Sequence, residues 1–443
     1  MRLAILLVVG ASLYGADLRV IDAIKRRDHK AVTALVGQHA DVNATAPDGA
    51  TPLAWATYLD DAPTAQLLLQ SGAKVNTADE YGETPLTLAC ANGNAALTAS
   101  FIKAGADVNA ARWDGETALM IAAGTGNVEV VRQLIAHGAK VDGADSRKGQ
   151  TALMWAAAEG HSDVVDLLIK SGATVNAASK SGFNALVFAA VKNDSKSVRA
   201  LLAAGVDANY ALPDGTKVLL VATSYKSAQA AGALVDGGAD PNVADRAGNT
   251  PLHTAAQVGS VELIEKLLAK GANVNARTPK STPGGRGFGG GGGGGFRPLA
   301  GEQTPLMMAA KANQPEAMRA LVKGGADPTL KASDGSTLLM AAAGSGHVEA
   351  VKYAYELDPN TAALNDQKAT VMHAAVTGTG SVPQPELCKV VEFLASKGAP
   401  LNEKDARGRT PFDICDPLPL DQVQDVLTRL IVQAGGVAPK SKR

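Results

Sequence analysis

Thr250-Pro251-Leu252-His253-Thr254-Ala255-Ala256 is the stretch on which the reading of this chain turns. Thr is a good helix N-cap, because its side-chain oxygen accepts a hydrogen bond from a first-turn N–H. Pro at the first helical position loses only an N–H that the helix leaves unpaired anyway. The tetrad therefore starts a helix, and the Ala pair after it leaves room for a neighbouring helix to approach closely. The same tetrad, with substitutions, recurs outward in both directions. Its first slot falls at Thr51, Thr84, Thr117, Thr151, Asn184, Lys217, Thr250, Thr304, Thr337, Thr370 and Thr410. The steps are 33, 33, 34, 33, 33, 33, 54, 33, 33 and 40 residues. The third slot is Leu except at Met372 and Phe412, and the sixth is Ala except at Cys415. Such regularity over a fixed period marks a repeat architecture.

The rest of the unit reads from one repeat to the next. In Val128-Glu129-Val130-Val131-Arg132-Gln133-Leu134-Ile135, the residues Val131, Leu134 and Ile135 fall at helical spacing and give one apolar face. Gly138 suits the left-handed end of that second helix. A stretch such as Ala106-Asp107-Val108-Asn109 then reads extended, and Asp114-Gly115 supplies a tight turn that Asp48-Gly49, Asp214-Gly215 and Asp334-Gly335 repeat. Each unit is thus helix, helix, hairpin, which predicts an all-α repeat fold whose layers bury their apolar faces on their neighbours.

The unit resembles the ankyrin repeat, whose pattern is Asp-x-x-Gly-x-Thr-Pro-Leu-His followed by Gly-Ala-Asp-x-Asn. Thr250-Pro251-Leu252-His253 and Lys270-Gly271-Ala272-Asn273-Val274-Asn275 are close matches. The resemblance extends over nearly the whole chain and implies an ankyrin solenoid of about twelve helix-turn-helix-hairpin units. Residues 17–50 read as an N-terminal capping repeat, with Val32, Leu35 and Val36 in the second-helix slots. Residues 51–277 carry regular repeats, and 302–436 carry irregular ones with a C-terminal cap. One continuous stack is expected.

Composition agrees with a stack of thin layers. Only 17 of 443 residues are aromatic, as a protein without a single large core requires. A net charge of −1 argues against a dedicated nucleic-acid binder. Residues 1–16 read as a signal peptide, with Arg2 before the apolar run Leu3 to Val9 and small residues after it. Export to the periplasm or the medium is therefore expected, and no other stretch is apolar enough to span a membrane. The 54-residue step contains ten glycines between Gly284 and Gly295, so 278–301 is expected to be a flexible loop. The 40-residue step adds residues around Gly378 to Pro385, and 437–443 is a short basic tail.

Neither catalytic nor metal-binding spacing appears. His253 and His373 occupy the last tetrad slot, where the resemblance implies a structural hydrogen bond, and His161 and His347 share a Gly-His slot. No His-x-x-x-His pair, phosphate loop or nucleophile elbow is present. No cofactor and no metal are expected. An enzyme would need a site in the irregular segment from Tyr353 to Pro385, where no nucleophile–base set supports it. Cys90 falls in a buried slot, whereas Cys388 and Cys415 raise the hypothesis of a disulfide, although their predicted faces differ.

What remains for function is the side formed by the hairpins and the exposed part of the first helices. The resemblance implies that this surface binds a protein. Slots on it hold Tyr81, Trp113 and Phe183 at hairpins, Tyr58 and Tyr225 on first helices, and the charges Glu80, Asp114, Arg147, Lys148, Glu159 and Lys192 beside them. Exposed aromatics are typical interface anchors. All five precede Lys226, which places the expected face in the N-terminal half. Trp55, Trp155 and Phe188 share a slot that also holds Leu88, Ile121 and Met308, and read as packing. The expected function is a monomeric, non-enzymatic scaffold for a protein partner, without nucleic acid. A secreted effector using the same surface on another cell is the alternative.

Overall fold

A computed structural model of the chain describes residues 17–280, 301–377 and 382–440. The expected signal peptide, the body of the Gly-rich stretch and the centre of the later insertion lie outside the described residues, as does the end of the basic tail. The described residues form 24 helices and no strand. The chain divides into two compact units, one reaching Val206 and the other starting at Asp207. The division falls in a hairpin between regular repeats and not at the Gly-rich insertion.

Each tetrad starts a helix as its chemistry predicts. Thr51, Thr84, Thr117, Thr151, Asn184, Thr304, Thr337 and Thr410 all accept a first-turn backbone N–H. The second helices carry caps of their own: Asp28, Asp61, Asn94, Asn127 and Asp194 do the same for theirs. In the first helix Ala118–Thr125, every residue from Ala118 to Ala123 is buried. It is therefore not an amphipathic surface helix but a middle layer, covered by repeats on both sides and by its own second helix. Small side chains are what let it be covered so completely.

The second helix Val128–Ala136 buries Val130, Val131 and Leu134. The predicted face is shifted by one residue, because Ile135 stays only half-buried at its edge. In the N-terminal cap, Arg19–Lys25 buries Val20, Ile21, Ala23 and Ile24, whereas His29–Gly37 buries only Val32. Leu35 and Val36, expected in packing slots, are only half-buried, and Val36 shares its slot with the half-buried Ile135. At the other end, Asp421–Gln433 closes the second unit with Val423, Leu427 and Ile431 inward.

The hairpins do not form strands. Pairing between their arms reduces to isolated bridges such as Ala111 with Thr117 and Ala144 with Thr151. The arms are too short for a ladder, and their tips bond to the next repeat instead. Within the first unit, Glu80 N–H donates to the Asp48 carbonyl, Trp113 to Tyr81, Ser146 to Asp114 and Lys180 to Lys148, at 2.8–3.1 Å. In the second unit, Ser333 donates to Gly301, Asp366 to Asp334 and Ala406 to Gln367 at 2.7–2.9 Å.

A side-chain clamp fastens the other end of seven of the hairpins. The Asn109 amide donates to the Gly138 carbonyl at 3.1 Å and accepts the Lys140 N–H at 2.9 Å, both in the following repeat. Asn43 and Asn76 do the same in the first unit, and Asn209, Asn242 and Asn275 in the second. At Asp142 a carboxylate takes over, accepting from both the backbone and the hydroxyl of Thr174.

His253 and His373 make the structural bonds that their slot implies. The Nδ1 atoms accept from the backbone N–H of Thr250 and Thr370 at 3.1 Å. The Nε2 atoms reach the Gln303 and Arg409 carbonyls of the next repeat at 3.0 Å. Cys388 and Cys415 are free thiols. Cys388 is half-buried on Gln384–Ser396, facing Glu392, Arg429 and Asp425, whereas Cys415 is buried at the end of Pro411–Cys415. Their different surroundings remove the proposed disulfide. Burial pushes the thiol pKa of both Cys90 and Cys415 up to about 12.

Burial holds the His253 pKa below its ordinary 6.5, opposed by the hydrogen bond to Gln303 and by Asp245. Above 6.5 the ring is neutral whether the chain is folded or not. Below it the unfolded chain takes up the proton first, so stability falls as pH drops from about 6.5 through the folded pKa. Thermal unfolding followed by circular dichroism should show Tm decreasing between pH 7 and pH 5. The decrease should be smaller in His253→Gln.

Candidate functional site

Four of the five predicted aromatics lie in the first unit. Tyr58, Tyr81 and Trp113 are 62 %, 55 % and 66 % exposed, while their backbones are held in the repeat. Tyr225 is equally exposed and sits at the end of Val218–Ser224 in the second unit. Phe183 is not a free anchor. It is half-buried with its ring against Phe188, centroids 5.7 Å apart.

The hairpin tips bring Tyr81, Trp113 and Arg147 into one cluster. The bond from the Trp113 N–H to the Tyr81 carbonyl, 3.1 Å, fixes the two tips side by side. The close approach leaves no space for a side chain at Gly82, whose Cβ would lie 2.9 Å from the Arg112 backbone and whose φ is +79°. The Arg147 guanidinium lies over the Trp113 ring, 5.7 Å from its centroid, within cation–π range. Glu80 hydrogen-bonds the Tyr81 hydroxyl, and that carboxylate pushes the phenol pKa up. Below the tips, Arg112 bridges Glu83 and, at 3.0 Å, Glu116. This half-buried ion network joins two repeats and stiffens the base of the cluster.

The remaining charges divide. Lys148 is exposed at its tip, and its carbonyl accepts from Lys180. Glu159 and Lys192 pair at 3.4 Å across the ends of Ala152–Glu159 and Ala185–Lys192, where Gly160 lets the Lys192 stem lie flat. Asp114 departs from expectation. It is only 8 % exposed, its carboxylate accepts the Glu116 N–H, and its carbonyl takes the Ser146 N–H and hydroxyl. It is the structural residue of the turn and offers no charge to a partner.

Trp55 and Trp155, read from the sequence as packing, are half-buried at the edge of this side. Trp55 lies edge-on to Tyr58, 5.7 Å between centroids, with the Lys25 ammonium 4.1 Å from its ring. Trp155 leans on Gly124 of the preceding repeat. Both indole N–H groups are buried without a hydrogen-bond partner. The slot therefore contributes both to packing and to the surface, a mixture that the slot-by-slot comparison of residue types did not separate.

Among the described residues no group of His, Cys, Asp and Glu could hold a metal ion, and no helix is long and apolar enough to cross a membrane. A concavity of about 620 Å³ lies wholly in the second unit, between the first helices starting at Pro305, Leu338 and Val371 and their hairpins. It holds no nucleophile–base pair: His373 is committed to Thr370 and Arg409. Trp113 is the most exposed of the three tryptophans, so acrylamide quenching should fall sharply in Trp113→Phe. The remaining emission should be shifted to the blue, without change in Tm.

The sequence matches the family described as Ankyrin repeats (3 copies) over residues 20–112, 88–179, 182–278 and 306–405. No curated protein matches the chain. Ankyrin repeats are generally protein–protein interaction modules, and proteins built from them are typically non-enzymatic scaffolds. With the matches spanning most of its length and the capped helix pairs, hairpin tips and clamps repeating through both units, the chain belongs to the ankyrin repeat family.

Proposed function

We propose that the first unit is a protein-binding scaffold whose contact surface is centred on Tyr81, Trp113 and Arg147, with Tyr58 and Trp55 extending it. The observation that carries this reading is the tip cluster. Two large aromatic rings are exposed side by side on backbone that the neighbouring repeats hold rigid. Aromatics and Arg dominate the energetics of protein interfaces, and anchors ordered in advance lose little conformational entropy on binding. Glu80, Lys148, Glu159 and Lys192 form a charged rim suited to selecting among partners. Asp114 and Phe183 are excluded from it by their burial.

Replacing Tyr81 and Trp113 together by Ala should abolish capture of the partner from the native envelope fraction, with an unfolding free energy within about 1 kcal/mol of the parent's. Retained capture would move the contact elsewhere. A monomer and an exported location belong to the same proposal, the latter resting on Arg2 and the apolar run from Leu3 to Val9. Light scattering should give one chain per particle, and mass spectrometry of the mature protein should find Asp17 at its N-terminus.

A further inference from the structure

The 620 Å³ groove of the second unit has a cause that can be read in the repeat slots. Four residues after the N-cap, the slot that holds Trp55, Leu88, Ile121, Trp155 and Phe188 in the first unit holds Val221, Thr254, Met308, Ala341, Ala374 and Ile414 in the second, and its two smallest residues, Ala341 and Ala374, both line the groove. Seven residues after the N-cap, Gly344 is small as well. These small side chains hollow the groove, leaving a floor between Met307, Met340 and Ile414. The volume is that of a ligand-sized cleft. Three successive first helices line it, so it runs for roughly 20 Å, the length of about six extended residues.

The charge in the groove is out of balance. Lys311 is half-buried at the end of Pro305–Lys311, and its Nζ has the neutral Gln303 Oε1 as a partner at 2.6 Å. No carboxylate among the described residues forms an ion pair with it. Asp334 attracts it through space and has its own Oδ1 on the Ser336 N–H. Arg409 is neutralised by Asp405, at 2.8 and 3.0 Å. Arg407, exposed on the rim, has no ion pair among the described residues. Burial pushes the Lys311 pKa down, opposed by the charge of Asp334.

We propose that this groove is a second binding site, for a short extended peptide that alternates acidic and apolar residues. One peptide carboxylate pairs with Lys311 and another with Arg407. An apolar side chain between them occupies the space left by Ala341, Gly344 and Ala374. Charge complementarity selects the acid, since an ammonium withdrawn from water gains most from an ionised partner. The small-residue floor selects the apolar neighbour. The site is independent of the aromatic surface on the first unit.

The test is fluorescence polarisation with the full chain and a fluorescein-labelled hexapeptide alternating glutamate and leucine. Binding is expected, and it should weaken as salt is raised. The glutamine–leucine and lysine–leucine peptides should bind at least tenfold more weakly. Lys311→Met should lose at least tenfold in affinity. Ala374→Phe, which places in that slot the ring found at Phe188, should abolish binding while leaving the circular dichroism spectrum unchanged. The double variant Tyr81→Ala/Trp113→Ala should bind the peptide normally. Absence of binding at millimolar protein, equal affinity for the glutamine–leucine peptide, or full affinity in Lys311→Met would overturn the proposal. Loss of binding in the Tyr81→Ala/Trp113→Ala variant would overturn it as well, by placing the peptide on the first unit.

Discussion

Every repeat depends on being clamped to the next one, because a single helix pair has no core of its own. At six hairpins the amide of one Asn satisfies both a carbonyl and an N–H of the following repeat. It does so where the second helix of that repeat ends, so two backbone groups that a helix terminus leaves open are closed from outside. A backbone bond between hairpin tips joins the same two repeats at the far end of the hairpin. Register between layers is thereby fixed at two points, and the Ala-rich first helices can pack without voids between them. The scarcity of aromatic residues follows: thin layers leave little room for rings, and among the described residues Phe101 and Phe412 are the buried ones.

The same constraint decides where function can reside. A first helix such as Ala118–Thr125 is buried along six successive residues, and the hairpin Asp residues are used in their own turns. Stacking leaves free the hairpin tips and, in some repeats, the slots four and seven residues after the N-cap. Individual repeats use those slots differently. Trp55, Tyr58 and Trp155 place rings at the surface of the first unit, whereas Ala341, Gly344 and Ala374 leave a groove beside the half-buried Lys311 in the second.

The fold was legible in the sequence because its signals are local. Thr–Pro at a helix start, Gly at a helix end and Asp-Gly at a turn each have a short-range cause, and all appear where the period places them. The exposed aromatics Tyr58, Tyr81 and Trp113 were legible too, as rings in slots that packing does not need. What the sequence hid are the consequences of contact between repeats. Asp114 looks like a surface charge until its carbonyl meets Ser146, and Phe183 looks free until Phe188 covers it. The tip bonds join backbone groups, which carry no residue signature. The groove was invisible because it is an absence: Ala341, Gly344 and Ala374 are unremarkable residues one by one, and only their alignment over successive helices makes a cavity.

The central claim, that nearest-neighbour clamps hold the layers in register, is tested most directly at Asn109. Its side chain reaches Gly138 and Lys140 in the following repeat. Urea unfolding of Asn109→Ala should show a loss of about 1–2 kcal/mol, the contribution of two hydrogen bonds with one backbone N–H left unpaired. Asn109→Asp should recover part of it, as the carboxylate of Asp142 does in its own repeat. A stability of Asn109→Ala equal to that of the parent chain would contradict the account, and would mean that apolar packing alone sets the register of the repeats.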